Sequence, residues 1–330
     1  MDVLRTNLLG SSPQFAHVLE QIRRVARFDV TVLIGGETGT GKELAARAVH
    51  YLSSRAALPF IPINCGALAE SLIESELFGH ERGAFTDAKV AAPGLIAEAN
   101  GGTLFLDEVD SLPPKAQAAL LRFLQDHTYR RVGSAQSRQS DVRLIAASNA
   151  DLDALAQTRQ FRRDLLYRLK VLPLTLPPLR ERGNDVIELA QAFLDRLNRD
   201  YRGFTPAKRF HPDTLAMLTR HSWPGNVREL EHFVQREFLM CEGDELRTSP
   251  PSSGPSRDEP HSHAAAFKQA KAQAIADFER SYVASAMGQA HGNISQAARI
   301  AGQDRSAFSK LVHKYGFGLK DKREQNPVEQ

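Results

Sequence analysis

Short apolar runs alternate with amphipathic stretches through the first half of the chain. The runs stand at 31–34, Phe60–Asn64, Thr103–Asp107, Arg143–Ser148 and 171–176. Each is too short for a helix, and apolar residues fill both alternating sets of positions, as in strands buried on both faces of a parallel sheet. Between them apolar residues recur at helical spacing, as at 42–53 and 115–126. Strand and helix in alternation predict an α/β fold, a parallel sheet covered by helices on both faces. At Leu176-Pro177-Pro178-Leu179 the strand signals stop, and from there to about residue 246 the pattern reads as helices only, at 185–199, 212–219 and Asn226–Met240.

A segment without apolar period follows. Residues 248–263 (TSPPSSGPSRDEPHSH) are dense in Pro, Ser and Gly, which predicts a flexible connection. His261 and His263 inside it are polar filler on this reading rather than a metal tract. Beyond it, 264–290 is one long helical pattern; Gly292-Asn293 then precedes a helix from Ser295 and another from Arg305. The expected organisation is an α/β core at 1–178, a helical subdomain at 179–246, a linker at 247–263 and an all-α domain at 264–330.

A chain of 330 residues suits two or three domains and needs no disulfide staples. Its two cysteines, Cys65 and Cys241, are too few for a disulfide framework or a cysteine-based zinc site. No stretch approaches the 18 apolar residues of a membrane span, and the N-terminus lacks the basic-then-apolar pattern of a signal peptide. The expectation is a cytoplasmic protein. Net charge is 42 − 39 = +3, unevenly spread. Residues 264–320 carry eight Lys/Arg against three Asp/Glu, or +5, which leaves 3 − 5 = −2 for the rest. A small basic module on a near-neutral body is the footprint of a nucleic-acid-binding tail.

The strongest chemical signal is Gly36-Glu37-Thr38-Gly39-Thr40-Gly41-Lys42, set between an apolar run and a helical pattern. Its glycines let backbone N–H groups wrap phosphates, the helix N-terminus adds a favourable dipole, and Lys42 would reach the β- and γ-phosphates. Glu43 stands where a Ser or Thr usually contacts Mg²⁺. The second signal is the apolar run ending in Asp107-Glu108. Asp107 would hold Mg²⁺, directly or through water, and Glu108 would polarise the attacking water of an ATP hydrolysis. The third is Phe161–Leu169 in the pattern FRRDLLYRL, where Arg162 and Arg168 lie six apart, which is not a same-face helical spacing. Phosphoryl transfer calls for an arginine near the γ-phosphate. The loop and the acidic strand contain none, so a neighbouring subunit could supply it.

With these motifs the chain resembles the bacterial enhancer-binding proteins, AAA+ ATPases that activate transcription by sigma-54 RNA polymerase. The resemblance runs from about Asn7 to Tyr315 and rests on GETGTGKE at 36–43, ELFGHERGAFTDA at 76–88, GGTLFLDE at 101–108, FRRDLLYRL at 161–169, LPPLRER at 176–182 and WPGNVREL at 223–230. The expectation is a core without a preceding receiver domain, and in this the chain looks most like the phage-shock-protein activator, whose NLLG and YLSSR segments have counterparts at 7–10 and 51–55. The resemblance implies that Asn64 is a switch residue holding Glu108, that Asn149 senses the γ-phosphate, and that Arg228 is a second sensor on a helical lid. It also implies that Arg162 and Arg168 are arginine fingers acting across subunits of a hexameric ring.

The loop Gly83-Ala84-Phe85-Thr86-Asp87-Ala88 matches the family's GAFTGA element, which touches the sigma factor, except that Asp87 replaces a glycine. Phe85 and Thr86 are retained, and an exposed Phe among small residues is an apolar contact point. The tail resembles a Fis-type helix-turn-helix. Asn293 would cap the first helix, with Ala297 and Ala298 permitting a close crossing and Gly302 the turn. Ser295, Gln296, Arg305, Ser306, Ser309, Lys310, His313 and Lys314 would supply donors to phosphates and base edges of upstream enhancer DNA. The long helix at 267–287 would pair two subunits.

The expected function is therefore that of a sigma-54-dependent activator with ATP and Mg²⁺ as cofactors. Its partners would be sigma-54 RNA polymerase holoenzyme, enhancer DNA, further copies of itself and, for control, a separate inhibitory protein. Asp87 leaves one alternative: a DNA-binding regulator acting without sigma-54, its AAA+ body used for oligomerisation or ligand response.

Overall fold

Burial on both faces is what the apolar runs require, and a five-stranded parallel sheet supplies it. The computed structural model describes residues 8–85, 88–247, 282–283, 286–288, 290, 293–301 and 305–314, without the side chains of 300 and 305–307. The chain divides between residues 252 and 253 into two units.

The core of the first unit contains α1 (Pro13–Ala26), β1 (Val32–Gly35), α2 (Lys42–Tyr51), β2 (Phe60–Asn64), α3 (Ile73–Phe78), α4 (Leu95–Glu98) and β3 (Thr103–Asp107). It continues with α5 (Pro114–Asp126), β4 (Thr128–Arg130), β5 (Ser137–Gln139), β6 (Arg143–Ser148), α6 (Leu152–Gln157), α7 (Arg163–Leu169) and β7 (Leu172–Thr175). The sheet order is β2-β3-β6-β1-β7, all parallel. Successive residues of each strand feed opposite faces. Leu33, Leu104, Leu106, Leu144 and Ala146 pack with Leu120 and Phe123 of α5 and Leu165 of α7. Val32, Ile34, Phe105, Ile145 and Ala147 pack with Phe15 and Ile22 of α1 and Ala45 and Val49 of α2. Each large side chain so buried contributes about 1.5–3 kcal/mol. In parallel strands the C-terminal ends share one edge, so Asn64 pairs in register with Asp107, and Gly35 with Ser148. That edge is where an open α/β sheet places its ligand.

The lid follows as α8 (Asp185–Asp200), β8 (Arg209–Phe210), α9 (Pro212–Arg220), α10 (Asn226–Met240) and β9 (Glu245–Leu246). Val186, Leu189, Ala190, Leu194 and Leu197 form the apolar stripe of α8 and pack with Trp223, Leu230, Phe233 and Phe238. The expectation of helices only needs correction here. β8 and β9 pair in parallel, Arg209 with Glu245 and Phe210 with Leu246. At two residues each they are too short to show a period. Lys208, buried beside them, donates its ammonium to the carbonyls of Phe238 (2.7 Å) and Cys241, closing the C-terminal end of α10. The sequence reading also omitted the antiparallel hairpin β4–β5, whose strands are short and largely polar.

A buried ion pair ties the start of the chain to the lid. Asp185 accepts from the N–H groups of Ser11 and Ser12 and from the Ser12 hydroxyl, each at 2.8 Å, and from Arg182 Nε at 2.9 Å. Arg182 donates to the carbonyl of Leu9 at 2.6 Å and lies 3.6 Å from the centre of the Phe15 ring.

The described part of the second unit holds α11 (Ile294–Ile300) and α12 (Arg305–Lys314). Asn293 caps α11 by accepting from Ser295 N (3.0 Å) and Gln296 N (3.3 Å). Ala297 and Ala298 are buried with Phe308 and Val312 of α12 and with Val283, Ala286 and Ala290. Gly302 and most of the long helix expected at 267–287 lie outside the described residues. No helix among the described residues is long and apolar enough to cross a membrane.

Candidate nucleotide site

The loop at 36–41 leaves β1 and enters α2 through Gly41, at φ 98°, with no side chain capping the helix. The first N–H groups of α2 thus face outward without side-chain partners, an anion site by construction. Lys42 Nζ donates to the carbonyls of Gly36 (2.7 Å) and Glu37 (3.1 Å). The Thr40 hydroxyl donates to Glu37 O at 2.8 Å.

Around this loop lies a cavity of about 270 Å³ lined by Thr38, Gly39, Gly41, Lys42, Glu43, Leu44, Asn64, Asp107, Glu108, Asn149, Val227, Arg228 and Glu231. A roomier groove of about 750 Å³, lined by Glu70, Ser71, Glu74, Pro113, Pro114 and Lys115, contains neither the glycine-rich loop nor the Asp107-Glu108 strand end. The smaller cavity is the candidate site, because the phosphate loop and the carboxylates converge there.

Strand ends deliver the carboxylates. Asp107 closes β3, and its Oδ1 accepts from Glu108 N at 3.0 Å. Glu108 itself has left-handed backbone, φ 53°, a strained conformation that clusters at working sites. Its carboxylate comes up against Gly66, where an added Cβ would lie 2.2 Å from Oε2. Asn64 caps the turn Cys65–Ala67 by accepting from the N–H groups of Gly66 (2.8 Å) and Ala67 (3.0 Å). Its amide oxygen is thus engaged by backbone beside Glu108, which leaves the amide nitrogen as the group able to donate to that carboxylate. Asn149 reaches the loop directly, Nδ2 to Thr38 Oγ1 at 3.0 Å.

Burial depresses the Lys42 ammonium, opposed by Asp107, Asp110 and Glu108. Burial likewise raises the Asp107 carboxyl, although Lys42 and the Glu108 N–H favour its anion. A carboxylate short of water on the phosphate side of a lysine fits a divalent cation, which would relieve that cost. Among the described residues no group of three or more His, Cys, Asp or Glu is placed to hold a metal, so such an ion would depend on nucleotide oxygens. Glu43 is engaged elsewhere, accepting from Arg47 Nε (3.0 Å) and Nη2 (2.7 Å). The neighbouring Cys65 thiol is pushed up to about 12, chiefly by burial, and both cysteines are free.

Arg228 lines the cavity, whereas Arg162 and Arg168 do not. Both of the latter are exposed on and beside α7, and Arg162 is paired with Asp164 at 2.8 Å. Phe85 is 36% exposed, its ring 5.0 Å from that of His80. Gly83 N donates to Ala88 O at 2.8 Å across the loop base, and Ala84 abuts Gly133 beyond the β4–β5 hairpin's first strand. Thr86 and Asp87 lie outside the described residues. In the second unit Gln296, Lys310, His313 and Lys314 are exposed, and Ser295 and Ser309 half-buried; the side chains of Arg305 and Ser306 lie outside the described set.

Two lid-side residues escaped the sequence reading. Arg180 donates to Glu37 and Asn226 to Glu37 and Thr38, across 143 and 189 positions of chain. Both stand in motifs already noted, LPPLRER and WPGNVREL; a Gly-Asn pair opening a helix was the available signal.

Comparison with known proteins decides the family. Residues 8–175, just over half of the chain, match the model of the sigma-54 interaction domain, and residues 180–264 match that of an AAA+ ATPase lid domain. The chain belongs to the sigma-54 interaction family of AAA+ ATPases. Within that family it is 42% identical over 315 residues to the alginate biosynthesis transcriptional regulatory protein AlgB of Pseudomonas aeruginosa, covering 94% of this chain and 68% of that one. The regulatory protein AtoC of Escherichia coli is 40% identical over 321 residues, covering 96% and 69%. Crystal structures of NtrX from Brucella abortus, one of them in complex with ATP, superpose with a TM-score of 0.69 at 33% identity for the ATP complex, covering 94% of this chain and 69% of the other. The chain is an AAA+ ATPase, and the cavity beside Lys42 is its candidate nucleotide site.

Proposed function

We propose that this ATPase activates transcription by remodelling sigma-54 RNA polymerase at a closed promoter complex. The observation that carries the reading is Phe85, a half-exposed aromatic on a short loop of small residues, on the same body as the cavity lined by Lys42, Asp107 and Glu108. Lys42 would bind the β- and γ-phosphates, Asp107 would hold Mg²⁺ directly or through water, and Glu108 would orient the attacking water. The magnesium would neutralise phosphate charge. Asn149 and Arg228 would report the γ-phosphate to core and lid, and Asn64 would restrain Glu108. Arg162 and Arg168, away from their own chain's cavity, would serve the neighbouring subunit's in a hexameric ring. The basic tail would read enhancer DNA as a helix-turn-helix, with α12 in the major groove and Gln296, Ser309, Lys310, His313 and Lys314 among its contacts. A cytoplasmic location and control by a separate inhibitory protein complete the reading.

The test is transcription in vitro with sigma-54 polymerase, ATP, Mg²⁺ and an enhancer-bearing template, together with sigma-54 binding under an ATP transition-state mimic. Wild type should activate; Phe85→Ala should not, while hydrolysing ATP normally. If wild type fails to bind sigma-54 and Asp87→Gly gains binding, the regulator without sigma-54 is the better account. If both hydrolyse ATP and neither binds, the sigma-54 partner is wrong.

A further inference from the structure

The contacts between phosphate loop and lid are not used by the hydrolysis chemistry, yet they are specific. Arg180 makes two parallel hydrogen bonds to the Glu37 carboxylate, Nη1 to Oε2 at 2.8 Å and Nη2 to Oε1 at 2.6 Å. Asn226 Nδ2 adds one to Glu37 Oε2 at 3.1 Å and one to the Thr38 carbonyl at 3.0 Å. The N–H of Val227 takes the Gly39 carbonyl at 3.0 Å. Asn226 is fully buried, holds left-handed backbone at φ 53°, and accepts from the N–H of Leu179 at 2.8 Å, next to Arg180. The approach is close: a Cβ on Gly39, at φ 80°, would lie 2.2 Å from the carbonyl oxygen of Gly225.

A trans peptide sends its C=O and the following N–H in opposite directions. A loop that binds phosphate needs its N–H groups toward the anion and its carbonyls turned away. The lid donors hold the carbonyls of Thr38 and Gly39, so the N–H of Gly39 is turned from the lid. Arg180 and Glu37 have side chains 44% and 42% exposed, and such a pair adds little to global stability. Its effect falls on where the loop sits.

We propose that Arg180 and Asn226 are positioning residues for the nucleotide: by gripping Glu37 and Thr38 they set the phosphate loop, and they make ATP affinity depend on how the lid is seated. The proposal rests on ATP occupying this cavity.

The experiment measures the Kd of a fluorescent ATP analogue, the ATPase kcat and KM, and the thermal midpoint of the full chain. The variants are Arg180→Ala, Arg180→Lys, Asn226→Ala, Glu37→Gln and the double Arg180→Ala/Glu37→Gln. Arg180→Ala should raise Kd and KM at least ~5-fold, with kcat at saturating ATP within about twofold and an unmoved midpoint; Arg180→Lys should recover part of the affinity. Because the singles remove one shared interaction, the double variant should bind no worse than the weaker single. Should Asn226→Ala unfold, the Arg180 variants decide alone. Wild-type affinity in Arg180→Ala, or full additivity with Glu37→Gln, overturns the proposal. A wild type that binds no nucleotide overturns the ATP-site reading and the proposal together.

Discussion

Replacing Asp185 by alanine isolates the energetics of the joint between chain start and lid. The side chain is fully buried and accepts four hydrogen bonds, two from backbone N–H groups, one from the Ser12 hydroxyl and one from Arg182. Its removal takes the paired carboxylate from the Arg182 guanidinium, whose side chain is 3% exposed, and leaves it the weaker attraction of Glu188. Breaking a buried pair from one side costs about 3–5 kcal/mol. Arg182 keeps the Leu9 carbonyl and the Phe15 ring, which places the expected loss near the lower bound, about 3 kcal/mol. Asp185→Asn retains acceptors for Ser11 and Ser12 and surrenders the charge-assisted bond, an expected loss of about 1.5–3 kcal/mol. The chain's single tryptophan, Trp223, is buried in the lid core, so urea unfolding followed by its fluorescence reports on the lid itself. Midpoint and slope together give the free energy. A loss below about 1 kcal/mol for Asp185→Ala would refute the claim that this carboxylate compensates Arg182.

Further outcomes follow from the site. Lys42→Ala should abolish nucleotide binding, whereas Glu108→Ala should bind ATP yet turn it over roughly 10²–10⁴-fold more slowly; equilibrium binding and phosphate release distinguish them, and equal loss of binding in both would contradict the roles. Arg162→Ala and Arg168→Ala should bind ATP and lose about 10³–10⁵-fold in rate, and mixing Arg168→Ala with Lys42→Ala subunits should restore turnover at mixed interfaces; no recovery in assembled rings argues against action in trans. Glu37 is held down at about 2, mainly by the Arg180 bonds, against an ordinary 4.5. A depressed carboxyl stabilises fully above its unfolded value and loses that contribution as pH falls through its folded one. The stability gap between wild type and Glu37→Gln, small because solvent screens so exposed a pair, should therefore be flat from pH 5 to 8 and shrink below about 4.5; a gap that widens on acidification would show the sign to be wrong.

The strands Thr103–Asp107 and Arg143–Ser148 were legible because strands covered on both faces are continuous apolar runs with abrupt polar ends, and the partly buried edge strand Phe60–Asn64 by its short Phe-Ile-Pro-Ile run. Those ends carry Asn64, Asp107 and Asn149, so the strand side of the cavity was legible with them. The loop was legible because Gly, Thr and Lys in that order have few other uses. The β4–β5 hairpin and the β8–β9 pair were not: short polar strands have no period to read. Nor were Arg180 and Asn226, whose purpose lies in partners at Glu37 and Thr38 that only tertiary structure brings near. Arg162 and Arg168 could be named from their motif, but a single chain cannot show the site they would complete.

The pinning of Asp185 makes the lid a lever with its fulcrum at one end of its first helix. The side chain at that end is bound to Ser11 and Ser12 on the core side, so residue 185 cannot shift without dragging the sheet's flanking helix along. The helix runs 16 residues to Asp200, about 24 Å at 1.5 Å per residue. A tilt of ~5° about the pinned end sweeps the far end by ~2 Å and leaves the near end where it was. Distance probes attached near residue 185 will therefore be blind to lid motion, and those near residue 200 will record nearly all of it.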